Sequence, residues 1–499
     1  MVGVQHIDSD HSHYYRTLKT FRTALLVVAT ITATLVAARM FAGPFHFGPL
    51  SVTTPLNPEG FFGLAVTLLL FMPVATNRPE AVSDGRIAVL SALGVAVITV
   101  VALHRGLGVY FLSDDFILVK IGSEWNASMF WYTITHGGGD GFFRPFGFVS
   151  FALDAKLWGI NPGAWHASSL AIHSANSVLV LFVARRLGAS ALAAGFAGAL
   201  FAVHGISPEA SVWIAGRFDL FATFFLLSGL LVFTLAGARL PLHAAALVCF
   251  ALAAFSKESA FIFPLLVAGW ALQKRQPLRW TTPYFVLAAI LFAYRWSLFG
   301  GIGGYIDRAT GRPAAFSLGF GSTLKAVAVR LWTSLYFPLN WSTDPSLPLA
   351  LLAVAYMAAM IWLGLHQNAA RSQPSRTLWF AASAILISTI PVLSLLAGSP
   401  TLAGSRVLYL PAVWFAILIA LALDALKMRA CYAVAAIILL FQLVALQHNL
   451  GFWEAASARV KAACATGVPA LPDWMDGVPV LANGKQECIE IARKTFDQP

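Results

Sequence analysis

The chain has 499 residues, 58% of them hydrophobic and only 11% charged, with a mean hydropathy of +0.74. That balance excludes a soluble globular protein and points to a membrane protein. The formal net charge of +11 is no nucleic-acid signature, because the basic residues fall in short loops between apolar runs, where membrane topology places them.

Apolar runs near 20 residues recur from end to end, each long enough to cross a hydrocarbon core of about 30 Å. They lack the ten-residue alternation of a β-barrel, so the sequence predicts an all-α polytopic membrane protein. Residues 1–21 form an expected cytoplasmic segment containing Arg16 and Lys19. The first apolar run has no convincing cleavage site and reads as a signal anchor. Spans are expected at about 22–42, 60–77, 86–103, 167–184, 189–206, 218–237, 241–256, 258–273, 281–299, 347–365, 378–397, 407–426 and 430–448, roughly 13 within a transmembrane domain of 22–448. Arg78 and Arg86, Arg185 and Arg186, Arg239, Lys274, Arg275 and Arg279, Arg371 and Arg376, and Lys427 and Arg429 then fall in inner loops, as the positive-inside rule asks. The expected location is a plasma membrane of the bacterial inner-membrane type, with the N-terminus cytoplasmic.

Residues 323–339 are apolar but carry Lys325 and Arg330. Counting them as a span would invert the basic loop at Arg371, so they are expected as an amphipathic helix on the outer face or packed in a cleft. Residues 449–499 read as a short extracytoplasmic tail. Its Cys464 and Cys488 can pair only if the tail lies outside, and the sequence leaves that pairing open. Cys249 and Cys431 fall in apolar runs and read as packing residues.

A charge near mid-bilayer costs about 2.5–3.5 kcal/mol on insertion scales, so charges collected at one face of such a chain mark a site. The outer loop at about 104–166 opens with Asp114-Asp115 and carries Gly137-Gly138-Gly139-Asp140-Gly141 and then Arg144. The same face gains His204, Glu209, Arg217, Asp219, Lys257, Glu258 and Arg406, and Arg295 adds a charge inside a span. Adjacent carboxylates repel, which leaves two roles available, a base or a metal ligand. His166 and His173 lie two helical turns apart, wider than a metal pair at i,i+4, and read as buried hydrogen-bonding histidines. There is no P-loop, dinucleotide fingerprint or H-E-x-x-H motif. No cofactor is expected, and a divalent metal is neither required nor excluded.

The landmarks in order are Asp114-Asp115-Phe116, Phe143-Arg144-Pro145, Asn161-Pro162-Gly163-Ala164-Trp165-His166 with His173, and His204 with Glu209-Ala210. Gly216-Arg217-Phe218-Asp219-Leu220, Lys257-Glu258 and Ser405-Arg406-Val407-Leu408-Tyr409-Leu410-Pro411 follow. Over about residues 100–430 this resembles the membrane portion of the transmembrane and tetratricopeptide-repeat O-mannosyltransferases and their bacterial relatives, of the GT-C class of integral-membrane glycosyltransferases. The chain departs from that pattern with Gly205 after His204, Ser169 between the two histidines and Ser405 before Arg406, and shows no tetratricopeptide repeats. The resemblance implies a GT-C-type fold that transfers a hexose, such as mannose, from a polyprenyl-phosphate donor to a glycan, lipid or protein acceptor on the outer face. Asp114 or Asp115 would be the general base, the choice between them open. Arg217, Lys257 and Arg406 would hold the donor phosphate, with Arg144 beside them. Glu209, Asp219, Glu258, His204, His166, His173 and Tyr409 would support them, and the 323–339 helix would help form the groove for the lipid. The competing readings are a transporter or flippase, a polymerase or ligase of lipid-linked glycans, and a non-catalytic assembly factor.

Overall fold

The computed structural model describes residues 5–47, 50–71, 85–137, 141–304, 319–366, 376–396, 399–426, 429–467 and 471–496. Arg78, Gly138, Gly139, Asp140, Arg371 and Lys427 lie outside the described residues. Among those described, nine helices are long and apolar enough to cross a membrane, and the shorter apolar helices Leu56–Leu70, Ala191–Ala202, Leu240–Ser256 and Glu258–Gln273 fill the remaining expected spans. At 1.5 Å per residue the 12-residue helix Ala191–Ala202 reaches about 18 Å, less than the hydrocarbon thickness. Polar, Gly- and Pro-containing chain takes over where it stops, at His204-Gly205.

The helix Ser405–Leu426 is the axis of the fold, with 94% of its apolar window buried, as befits a helix that is hydrophobic all round. Leu278–Phe299 and Gly85–Gly108 bury only 11% and 22% of theirs, leaving Leu90, Leu93, Val101 and Ile290 exposed. Such faces are tolerated when lipid is the solvent.

Residues 320–336 form a continuous helix with a π segment at Ala326–Arg330. Of the two expected placements it takes the cleft, lying against Leu56–Leu70. Gly60 and Gly63 permit the approach: a Cβ on Gly60 would stand 2.4 Å from Val329 Cγ1, and one on Gly63 would stand 2.7 Å from the Tyr336 ring. Thr333 Oγ1 donates to Leu56 O at 2.7 Å, and the Thr67 and Tyr336 hydroxyls meet at 2.9 Å. The helix is therefore wedged in the core along residues 329–336, while residues 320–322, 324 and 325 remain exposed.

The last long helix, Ala430–Thr466, continues well past the expected end at 448. Its 37 residues span about 55 Å. Gln447-His448-Asn449 is polar without being helix-breaking, and Trp453, Ala456, Val460 and Cys464 carry a buried stripe onward. A short hairpin pairs Trp474-Met475 with Val478-Pro479, and the helix Lys485–Phe496 follows. A disulfide joins Cys464 to Cys488, with Cα atoms 5.5 Å apart.

Gly60→Val should lower the melting temperature in detergent by overpacking the 320–336 contact, at a cost of about 1–3 kcal/mol. Gly94→Val, at a position with open space, should leave it nearly unchanged. Equal melting temperatures for the two variants would contradict the packing.

Candidate functional site

The site begins at a strained turn. Ser113 adopts φ 48° and ψ −115°, a backbone conformation that costs about 1–3 kcal/mol and must be held by its surroundings. Asp115 supplies much of that support: its carboxylate accepts from Leu112 N at 3.1 Å and from Ala215 N at 3.0 Å. Trp213 Nε1 donates to Leu112 O at 3.2 Å, and Ser113 N donates to Val480 O at 2.9 Å. Burial holds the Asp115 carboxyl well above its usual range, with the adjacent Asp114 adding to the rise and the backbone donors partly offsetting it. Asp115 is fully buried and ties the turn to the 214–216 segment. The helix Asp114–Glu124 starts directly after it, so both carboxylates sit in a first turn, where the helix dipole favours negative charge.

Asp114 faces a cavity of about 410 Å³ whose other polar lining comes from Arg144, Asp219, Lys257, Arg406 and Asn483. Phe148, Trp213 and Phe218 are among its apolar walls. Each cation has a carboxylate partner. Lys257 Nζ lies 2.6 Å from both oxygens of Asp219. Arg144 makes a bidentate pair with Glu258 at 3.1 and 2.6 Å and lies over the Phe142 ring. Arg406 pairs with Glu209 and covers Trp213 at 4.5 Å. Glu209 also accepts from Gly404 N, Ser405 Oγ and Arg406 N at 3.0–3.1 Å, which fixes the turn that presents Arg406.

Asp115 and Arg217, both expected at the working face, are outside the lining of this cavity. Arg217 is 1% exposed and pairs with Asp154 at 2.6 Å, while donating to Ser169 Oγ at 3.1 Å and Trp165 O at 2.8 Å. It stacks over Phe151 and Trp165. Every direction from its guanidinium is protein. The remaining expected residues support the frame. His173 joins Tyr409 OH at 2.6 Å and Ala202 O at 3.1 Å, and Asn176 also reaches Tyr409. His204 contacts Leu335 O through Nε2 at 3.0 Å and is fully buried. His166 is buried at the start of the Pro162–Leu187 helix. Arg295 binds Ile302 O and Gly141 O, closing a loop at the end of its helix. No group of three His, Cys, Asp or Glu suited to a metal occurs among the described residues.

Sequence reasoning passed over Asp154 and Asn483. Asp154 is a lone acidic residue in an apolar helix, a signal that intramembrane-charge logic could have used. Asn483 donates to Asp114 Oδ1 at 2.6 Å from 369 residues away, and its only local signal is an Asn-Gly turn pair.

Asp115→Ala should destabilise the protein by about 1–3 kcal/mol, since it strands two buried backbone donors. Arg217→Met should cost about 3–5 kcal/mol by isolating Asp154. Asp114→Ala should leave the melting temperature within experimental scatter, and a loss there matching that of Asp115→Ala would reject this division of roles.

No family model matches the chain. It is 39% identical over 127 residues to protein O-mannosyl-transferase Tmtc2 of Drosophila melanogaster, across 23% of this chain and 14% of that protein. It is 34% identical over 105 residues to protein O-mannosyl-transferase TMTC2 of Homo sapiens, across 21% of this chain and 13% of that one. A crystal structure of ArnT from Cupriavidus metallidurans bound to undecaprenyl phosphate aligns over 82% of this chain and 88% of its own, at 15% identity and a TM-score of 0.37. The alignments to the curated relatives span about a seventh of those proteins' length. Over that share the chain is similar to the TMTC protein O-mannosyl-transferases, the resemblance expected from its motifs.

Proposed function

We propose that the protein is a membrane glycosyltransferase that moves a hexose from a polyprenyl-phosphate-linked donor to an acceptor on the outer face of the membrane. The observation that carries this reading is a single cavity lined by Asp114 together with Arg144, Lys257 and Arg406. Sugar transfer from a lipid phosphate needs a base and a sink for departing negative charge. Asp114 takes the proton of the acceptor hydroxyl while the hydroxyl oxygen bonds to the anomeric carbon. The bond from that carbon to the phosphate oxygen breaks, and its electron pair leaves with the phosphate. Arg144, Lys257 and Arg406 meet the phosphate with charge-assisted hydrogen bonds. Their partners Glu258, Asp219 and Glu209 keep these cations compensated before the donor arrives. The likeness to the O-mannosyl-transferases favours mannose as the hexose.

The isoprene units next to the phosphate enter a second cavity of about 220 Å³, lined by Phe261, Phe292, Arg295, Ile302, Pro391 and Leu395 and bordered by Glu258, the partner of Arg144. Two observations support an extracytoplasmic site. The tail that supplies Asn483 to the cavity carries the Cys464–Cys488 disulfide, a bond favoured in oxidising compartments. Arg185, Arg186, Arg239 and Lys274 fall at the far ends of helices whose other ends carry His166, Arg217 and Glu258, as the positive-inside rule asks of a cytoplasmic side.

Purified protein incubated with a panel of labelled polyprenyl-phosphate sugars and membrane acceptors should consume one donor. Asp114→Asn should cut transfer by about 10²–10⁴-fold with donor binding retained. Lys257→Gln should reduce transfer by about 10²-fold or more, in line with other losses of transition-state charge stabilisation. Movement of intact donor across vesicles without cleavage would establish a transporter instead, and full transfer by Asp114→Asn would remove it as the base.

A further inference from the structure

Asn483 is exposed, yet the backbone on either side of it is held in place. Two residues before Ala482, Val480 O accepts from Ser113 N. On its other side Gly484, at φ +77°, lies so close to the Ser113 turn that a Cβ there would stand 2.8 Å from Ser113 O and 3.0 Å from Phe116 Cβ. Only glycine combines that dihedral with that approach. The helix that follows is secured by Lys120, whose Nζ lies 3.6 Å from both Glu487 and Glu490, and by the disulfide from Cys488 to Cys464. All of this restraint delivers one amide group to Asp114 Oδ1 at 2.6 Å, inside the lining of the cavity.

A carboxylate at a cavity wall rotates broadly about its terminal torsion, whereas a base must hold an oxygen within about 3 Å of the proton it takes. One N–H on Oδ1 selects an orientation, and no other described side chain or amide is hydrogen-bonded to Oδ2. A neutral amide does this without the charge attraction of an Arg or Lys partner, which would blunt a base. We infer that Asn483 is a positioning residue for Asp114, and that the segment 471–496, tied by the disulfide to the helix Ala430–Thr466, is part of the working site. The inference rests on the transferase reading above.

The test uses the full-length protein and steady-state transfer. Asn483→Asp keeps the side-chain shape but removes the donor, and Asn483→Ala removes the side chain. Both should lower kcat by about 10- to 100-fold, the scale of a misplaced reacting group, with donor KM and melting temperature unchanged. Asn483→Gln, which retains the amide, should recover part of the loss. In an Asp114→Asn background Asn483→Ala should cause no further loss, because the two residues act as one unit. Wild-type kcat in both Asn483 variants, while Asp114→Asn is inactive, would overturn the inference and leave the transferase reading intact. A fall in melting temperature that parallels the loss of kcat would make Asn483 a structural residue and overturn it as well. Undiminished transfer by Asp114→Asn would instead defeat the assignment of the base, and the positioning role with it.

Discussion

An ionised group inside an apolar body needs an opposite charge or a full set of hydrogen-bond partners, and four charge pairs fix how the helices around the cavity are assembled. Asp154–Arg217, Asp219–Lys257, Arg144–Glu258 and Glu209–Arg406 each link separate segments. The last of these spans 197 positions of sequence. Desolvating such ions costs several kcal/mol each, so the pairs are weak sources of net stability. Their effect is on arrangement: an alternative packing that separated any pair would leave a naked charge in a low-dielectric interior. The shape of the cavity follows from where the pairs come to rest.

The pairs differ in what they leave over. Arg217 is saturated by a carboxylate, a hydroxyl, a carbonyl and two aromatic faces. Lys257, Arg144 and Arg406 are paired too, but each contributes to a cavity wall. Their residual side-chain exposures of 8%, 11% and 18% separate cations that a ligand can reach from one it cannot. The same distinction divides the two aspartates: Asp115 spends both oxygens on backbone amides, while Asp114 meets the cavity through a single hydrogen bond.

The span pattern was legible because hydrophobic length is a direct physical requirement of the bilayer. Each expected apolar run became a helix, although several fell short of a full crossing. The ring of charged residues was legible for the same reason, since each is costly and therefore needs a use or a partner. Which of them needed only a partner was not, because Asp154 and Arg217 meet 63 positions apart through a packing that no local periodicity encodes. The 320–336 helix looked amphipathic by charge alone. Its glycine-lined neighbour, which decides its burial, is about 270 residues earlier. Asn483 was least legible of all: an exposed amide in a polar stretch acquires meaning only from the side chain it meets.

The partnership of Asp114 with Asn483 also orders events in time. Ribosomes deliver residue 114 long before residue 483, and insertion of all the intervening helices must come between. The cavity, which also takes its lining from Lys257 and Arg406, therefore forms only once all of these segments have been made. Asn483 reaches Asp114 only after the helix Ala430–Thr466 is in place, and the Cys464–Cys488 disulfide then ties the segment that carries it to that helix. The Asp114 wall of the cavity thus depends on a segment made after every other residue that lines it, and the oxidation state of Cys464 and Cys488 reports on how that segment is tied down.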